Sequence, residues 1–227
     1  MIPALIYFLL KKYRIKHPEK AQKLMTLVKN GSRVVILLII FLAATQFSIA
    51  QERKLEYAIK RKGSEVGSLF FTQAFSGNKL VLKMESEVRT RMIFLFTAKA
   101  KEESIYENGI MTWSSIYRKM NGNEKANKKT RLAGTNYIVT EDDDTEALNN
   151  YPIRYNMLSL YTNEPVNISK VYSDNFQRFL DIQTIAPHHY KIKFPDGTYN
   201  EYIFSNGVCV QIKIHHSLYS ASIELKS

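Results

Sequence analysis

The chain of 227 residues contains a single cysteine, Cys209. With one thiol, no disulfide can form within the chain. No cysteine follows the apolar run near the N-terminus, so lipid attachment at a lipobox is also excluded. Cys209 lies in the strand-like stretch VCVQIKI, and a lone thiol in an oxidising compartment is safe when it is buried. We therefore expect Cys209 to be a buried structural residue.

Long apolar runs are also missing. The apolar run near the N-terminus is Val34–Ala44. Even when it is extended to Ala50 it has only seventeen residues, whereas a transmembrane helix needs about 20. Lys29 and Arg33 precede the run, and small residues end it at Ala50. A basic region, a short apolar region and a small-residue site describe a signal peptide. The sequence therefore predicts cleavage after Ala50 and a periplasmic or secreted protein.

Two alternatives concern this N-terminal region. Residues 34–50 could stay uncleaved and anchor a scaffold protein in the membrane. Twenty-four residues precede Met25, which is far for a signal peptide, so the pattern favours translation from Met25 and a start assigned too early. The other reading is that IPALIYFLL is a second membrane-seeking segment. We interpret residues 1–50 as a targeting region and residues 51–227 as one domain.

A strong charge of one sign is missing from that domain. Residues 1–50 hold eight of the 32 Lys and Arg but one of the 21 Asp and Glu, which leaves 24 basic and 20 acidic residues after residue 50. The formal net charge falls from +11 to +4. Most of the net positive charge thus lies in the targeting region, and nucleic-acid binding is not expected of the domain.

Catalytic and metal-binding motifs are missing as well. A serine hydrolase of the nucleophile-elbow type would carry G-x-S-x-G, which the chain lacks. The enzyme alternative is a hydrolase that uses His216 and Ser217, because His216 is in phase with inward-facing strand residues.

Metal-binding motifs are weak too. His215 and His216 would point to opposite faces of a strand, so they cannot bind one ion together. The acidic run 141–146 lacks the glycine of a calcium loop. No catalytic residue, metal site or cofactor is predicted.

What the domain does contain is alternation of apolar and polar residues with a period of two. Examples are KLEYAIK at 54–60 and HYKIKF at 189–194. Gly- and Asn-containing turns such as SGN, ENG, NGN and SNG separate these runs at short intervals. Such spacing predicts a mainly all-β fold, an antiparallel meander that forms a curved sheet or partial barrel.

One stretch, PIRYNMLSLYTNEP at 152–165, interrupts this pattern. Ile153, Met157 and Leu160 or Tyr161 recur at the spacing of one helical face. Pro152 suits the first turn of a helix. We predict a short helix at about 153–163, packed against the sheet where MIFLF, residues 92–96, is apolar on both faces.

Aromatic side chains are abundant, with 14 Tyr and 12 Phe. An aromatic interior under a short helix could hold an apolar or amphiphilic molecule, whereas small barrels ordinarily fill their interiors with side chains. The residues predicted to line a ligand site are Phe94, Phe96, Tyr155, Met157, Tyr161 and His216.

A basic stretch at 118–131 offers a second surface. On an exported protein its targets would be anionic lipid headgroups or acidic polysaccharides of the envelope, although exposed charge is more often only solubilising. The residues predicted for this contact are Arg118, Lys119, Lys125, Lys128, Lys129 and Arg131.

Several blocks resemble an uncharacterised family of exported bacterial β-rich proteins, described only as domains of unknown function. The blocks are SEVRTRMIF, AKAKEES, PIRYNMLSLYTNEP, VYSDNF, YKIKFPDGTYNEYIFSNGVC and HHSLYSASIELKS. The resemblance covers nearly all of residues 52–227. It implies export and a curved antiparallel sheet with a short helix, and it implies no activity. We expect a non-enzymatic envelope protein that binds an apolar or amphiphilic ligand or an envelope partner.

Overall fold

The computed structural model describes residues 51–91, 95–142, 144–148, 152–217 and 219–226, together with Lys11, Glu19 and Gln22. Backbone contacts divide the chain into two units, Met1–Ile49 and Ala50–Ser227. The predicted targeting segment thus lies almost wholly outside the described residues. The described residues include no helix with the length and hydropathy of a membrane span.

The second unit is built from strands, because its sequence alternates between inward and outward side chains. In one strand, Leu69 and Phe71 are buried while Phe70 between them is 52% exposed. The strands are β1 (Gln51–Arg61), β2 (Ser64–Ser76), β3 (Lys79–Arg91), β4 (Leu95–Glu107), β5 (Ile110–Met120), β6 (Asn123–Ala133), β7 (Asn136–Glu141), β8 (Asp144–Leu148), β9 (Lys170–Ser173), β10 (Arg178–Ala186), β11 (His189–Lys193), β12 (Tyr199–Ser205), β13 (Val208–His215) and β14 (Ser220–Leu225).

Tight turns join most of these strands. Asn108 and Gly109 connect β4 to β5, and both have positive φ, at 51° and 74°. Two successive positive φ angles are typical of the hairpin turn whose twist matches that of the strands. The turn residues in the sequence therefore predicted the hairpins correctly.

All strands belong to one antiparallel sheet. Its order runs from β8 back through β7 to β1, then from β14 back to β9. The first and last strands pair at the middle of this order, with Tyr57 opposite Leu225. The two edges, β8 and β9, are not paired with each other, so the sheet is not closed into a barrel. The predicted antiparallel meander with a partial barrel is confirmed.

The sheet curls around one core, since inward residues of distant strands pack in a single cluster. The two ends of the strand order also meet through side chains. The hydroxyl groups of Thr130 on β6 and Tyr172 on β9 are 3.1 Å apart. The Gln177 amide donates to the Thr140 carbonyl of β7 at 3.2 Å. Cys209 is fully buried, and burial raises the pKa of its thiol to about 12, as expected of a structural residue.

The interior is crossed by residues 152–163, named here the plug segment. The predicted helix at 153–163 is too long, because the helical part is a 3₁₀ turn at Met157–Tyr161. The residues before it are extended: the Ile153 carbonyl accepts from the Met111 amide of β5 at 2.8 Å, and the Tyr155 carbonyl accepts from the Tyr172 amide of β9 at 2.9 Å. Because these two carbonyl groups already accept hydrogen bonds from strand amides, they cannot accept those of a first helical turn.

The helical turn therefore begins after Asn156. The Asn156 side chain accepts from the Ser159 amide, and the Ser159 hydroxyl in turn accepts from the Asn156 amide, which makes a capping box. Ile153, Leu158 and Leu160 are buried, so the segment packs against the sheet as predicted. Its predicted landing place stays a prediction, because Met92, Ile93 and Phe94 lie outside the described residues.

Candidate functional site

The plug segment borders a cavity of about 520 Å³, named here the first cavity. Its walls are inward-facing side chains of β1–β5, β9 and β12–β14. Most of them are apolar, including Leu69, Met84, Ile116, Ile212 and Ile223. Because the curled sheet is not completely filled by its own side chains, it leaves an apolar interior space of ligand size.

Tyr161 of the plug segment contributes an aromatic face to this space. Its ring stacks on Phe71, with centroids 4.9 Å apart, and meets Tyr57 edge-on at 5.4 Å. Burial raises the pKa of the Tyr161 phenol well above its usual value, so the phenol stays neutral. Met157 and Leu158 line the cavity beside it.

A buried carboxyl group, Asp174, also lines the first cavity. The Ser114 hydroxyl donates to its Oδ1 at 2.5 Å, and the Asn156 amide donates to its Oδ2 at 2.9 Å. The same Asn156 nitrogen donates to the Ser104 hydroxyl at 2.6 Å. Burial raises the pKa of Asp174 to about 7, and the charge of Glu102 adds to the rise, while the two donors oppose it.

An ion pair stands beside Asp174. The Arg118 guanidinium donates through Nη2 to Glu102 Oε1 at 2.6 Å and through Nη1 to Asn175 Oδ1 at 3.2 Å. The Glu102 side chain is 9% exposed, whereas that of Arg118 is 39% exposed. Burial lowers the pKa of Arg118 and Glu102 raises it, with a net rise. This guanidinium therefore stays charged and paired.

The rim of the cavity carries aromatic rings and charges. His216 stacks on Tyr219, with centroids 4.7 Å apart, and Phe176 stacks on Phe194 at 5.5 Å. Hydrogen bonds from Thr198 lower the pKa of Asp196, and the nearby His216 lowers it further. Tyr219 is 42% exposed, so an apolar ring faces solvent at the entrance.

The structure brings four of the six predicted ligand residues to this cavity: Phe96, Met157, Tyr161 and His216. Tyr155 lies instead on a second cavity, of about 620 Å³, which is bordered by turn residues such as Asn78 and Asn108 and by strand residues such as Leu80 and Leu82. Its hydroxyl donates to the Asn163 carbonyl. Phe94 lies outside the described residues.

The described residues show no catalytic arrangement around His216 and Ser217, the pair named in the hydrolase alternative. Ser217 is exposed on the β13–β14 connection, where the amide and carbonyl of His216 bond to those of Tyr219. Asp196 Oδ1 accepts from both the amide and the hydroxyl of Thr198. Within the described part of the chain, no three His, Cys, Asp or Glu side chains are grouped to hold a metal ion.

The six predicted envelope-binding cations do not share one face. Arg118 turns into the first cavity, and Lys128 pairs with Glu141 at 2.7 Å with 15% of its side chain exposed. The Lys119 ammonium lies 5.5 Å from the centre of the Tyr117 ring. The exposed members are Lys119, Lys125, Lys129 and Arg131. Binding to an anionic surface stays a prediction.

Sequence reasoning missed Glu102, Ser114 and Asp174. Strand alternation could have revealed Glu102. Side chains two residues apart on a strand lie on the same face, so Glu102 shares the face of Ala98 and Ala100, which line the cavity. No local signal exposes Asp174, since its partners Ser114 and Asn156 are remote in sequence.

Comparison with known proteins places the chain in a family. Residues 57–226 match the family described as a domain of unknown function (DUF6134), and the chain belongs to that family. No curated protein matches the chain in sequence. The fold is similar to the crystal structure of a β-barrel-like protein of the domain of unknown function DUF1849 from Brucella abortus. The TM-score is 0.54 and the identity 9%, over 79% of this chain and 97% of that one. At this identity, the likeness concerns the fold alone.

Proposed function

We propose that this member of the DUF6134 family is an exported, non-enzymatic envelope protein that holds an apolar or amphiphilic molecule in the first cavity. The observation that carries the proposal is the cavity of about 520 Å³, walled by apolar side chains and bordered by a few polar groups. Small-molecule sites are commonly clefts of about 300–1,000 Å³ with that composition.

The placement of the polar groups supports an amphiphile over a plain hydrocarbon. Asp174, Glu102 and Arg118 lie together at one part of the cavity wall. A purely apolar guest would leave these groups against hydrocarbon, where charged groups are costly unless they are paired. A guest with a polar end can place that end beside them.

The predicted signal peptide supports an envelope location for this function. The signal-peptide pattern ends at Ala50, and β1 begins at Gln51, which is paired with Phe75 of β2. Cleavage after Ala50 would leave every strand of the sheet intact.

Titration with Nile red, a neutral fluorophore that brightens in apolar surroundings, tests the proposal. Ala100 lines the first cavity, so Ala100→Phe fills part of it. The matched control is Ala147→Phe on the exposed edge strand β8. We expect saturable binding to the unmodified protein and the control, and binding weaker by about tenfold or more in Ala100→Phe, because overlap with a packed side chain is strongly unfavourable.

Thermal melts establish that both variants are folded. Failure of the unmodified protein to brighten Nile red, or equal binding by folded Ala100→Phe, would overturn the ligand-holding proposal. Hydrolysis of generic esters that disappears in His216→Ala would favour the enzyme alternative instead.

A further inference from the structure

The chemistry of the polar groups in the first cavity restricts which amphiphile it can hold, on the premise that the proposed function is correct. Asp174 is 5% exposed, and the side chains that bond to it are both neutral donors, Ser114 and Asn156. Each carboxylate oxygen has two acceptor sites. Asp174 can therefore accept a further donor from the cavity.

The cation beside Asp174 is already engaged. Arg118 gives one nitrogen to Glu102 and another to Asn175. Among the described residues, the bond from Arg118 is the only hydrogen bond of the Glu102 carboxylate. Arg118 thus bonds to one of the two buried carboxyl groups, Glu102, and the charge of Glu102 disfavours ionisation of the other, Asp174.

The other residues that line the cavity do not offset this excess of carboxyl groups. The other charged residues and histidines that line it are Arg61, Asp196, His215 and His216, and the titratable tyrosines are Tyr161, Tyr202 and Tyr219. Over the whole lining, three carboxyl groups face two guanidinium groups. A bound anion would add a further negative charge near Asp174 and Glu102, and bringing like charges together is unfavourable.

We propose that the first cavity selects amphiphiles whose head group is a cationic nitrogen, such as a primary alkylamine. The ammonium would donate to Asp174 and Glu102 and restore the balance of charge. The aromatic rings of Tyr161, Tyr202 and Phe176 line the same cavity. Such rings attract cations through their π-faces. The alkyl chain lies along the apolar wall.

Displacement of Nile red by three amphiphiles of one chain length tests this selectivity. The competitors are decylamine, decanol and decanoate. At about pH 8, where Asp174 is mostly ionised, we expect decylamine to displace the dye at a concentration about tenfold lower than either of the others. The preference should shrink at about pH 6, because Asp174 is then mostly protonated.

Asp174→Asn keeps the size of the side chain and removes its charge. We expect this variant to lose both the preference for decylamine and its pH dependence. The control, Asp181→Asn, removes a carboxylate whose side chain is 83% exposed and does not line the cavity, and it should behave as the unmodified protein does. The comparison of the three amphiphiles on the unmodified protein at about pH 8 needs no variant, so the head-group preference is tested even if Asp174→Asn folds poorly.

The outcomes separate the two proposals. Dye binding in the unmodified protein with equal displacement by all three amphiphiles, or with decanoate strongest, overturns the head-group inference and leaves the ligand-holding proposal standing. A decylamine preference that persists unchanged in Asp174→Asn also overturns it. No dye binding at all contradicts the proposed function itself.

Discussion

Asp174 is a residue that the fold buries at a cost in free energy. Its pKa is raised from 3.8 to about 7, first by burial and then by the charge of Glu102, while Ser114 and Asn156 oppose the rise. A difference of one pKa unit corresponds to about 1.4 kcal/mol. The ionised form therefore carries a penalty of a few kcal/mol in the folded protein.

This penalty predicts a pH dependence of stability. Between about pH 4 and pH 7 the folded state holds a proton on Asp174 that the unfolded state has released, so the contribution of this group is fully present below pH 4 and is lost as the pH rises to 7. Asp174→Asn removes the effect. In urea unfolding, the variant should gain stability relative to the unmodified protein from about pH 4 to 7, with no further gain above. A difference that is constant over this range would contradict the raised pKa.

The plug segment is the element on which the interior depends. Leu160 is fully buried, and the segment bonds to β5 through Ile153 and to β9 through Tyr155. Leu160→Asp removes apolar contact and buries a charge without a partner, so it should lower the free energy of unfolding by about 3–5 kcal/mol. The control Val166→Asp lies at a site that is 59% exposed and should change it by under about 0.5 kcal/mol.

Equilibrium unfolding in urea compares these two variants. An unchanged midpoint for Leu160→Asp would mean that the segment is an exposed flap. A gating role for the segment would then explain its position better than a packed plug.

The strands could be predicted from sequence because their signal is local. Buried Tyr190 and Ile192 alternate with Lys191 and Lys193 in adjacent residues, and Asn108-Gly109 specifies its own hairpin. The plug segment misled the prediction because Ile153 and Met157 have helical spacing while the Ile153 carbonyl is held by β5. Spacing along the chain cannot reveal a hydrogen bond to a strand that is remote in sequence.

The cavity was predicted only in part for the same reason. The sequence predicted Phe96, Met157, Tyr161 and His216 as ligand residues, and these four do line it. Asp174 was missed because its environment is assembled from Ser114 on β5 and Asn156 in the plug segment. A polar cluster formed by long-range contacts has no periodic signature in the sequence.

For the whole molecule, the first prediction concerns the N-terminal region and whether it is removed during export. If the N-terminal region is a cleaved signal peptide, the exported protein should begin at Gln51 and keep all fourteen strands. Intact mass measurement of the protein recovered from the envelope fraction decides this. A mass that includes Val34–Ala44 would instead indicate a membrane-anchored scaffold.

The claim that the first cavity carries a molecule is tested most directly by native mass spectrometry of the protein isolated from the cells that produce it, followed by solvent extraction. We expect an adduct on the folded protein that is released by organic solvent and is absent from the Ala100→Phe variant. We expect the released compound to be an amphiphile. A folded protein that shows only the mass of its own chain, in both the unmodified and the variant form, would contradict a ligand-holding role for the first cavity.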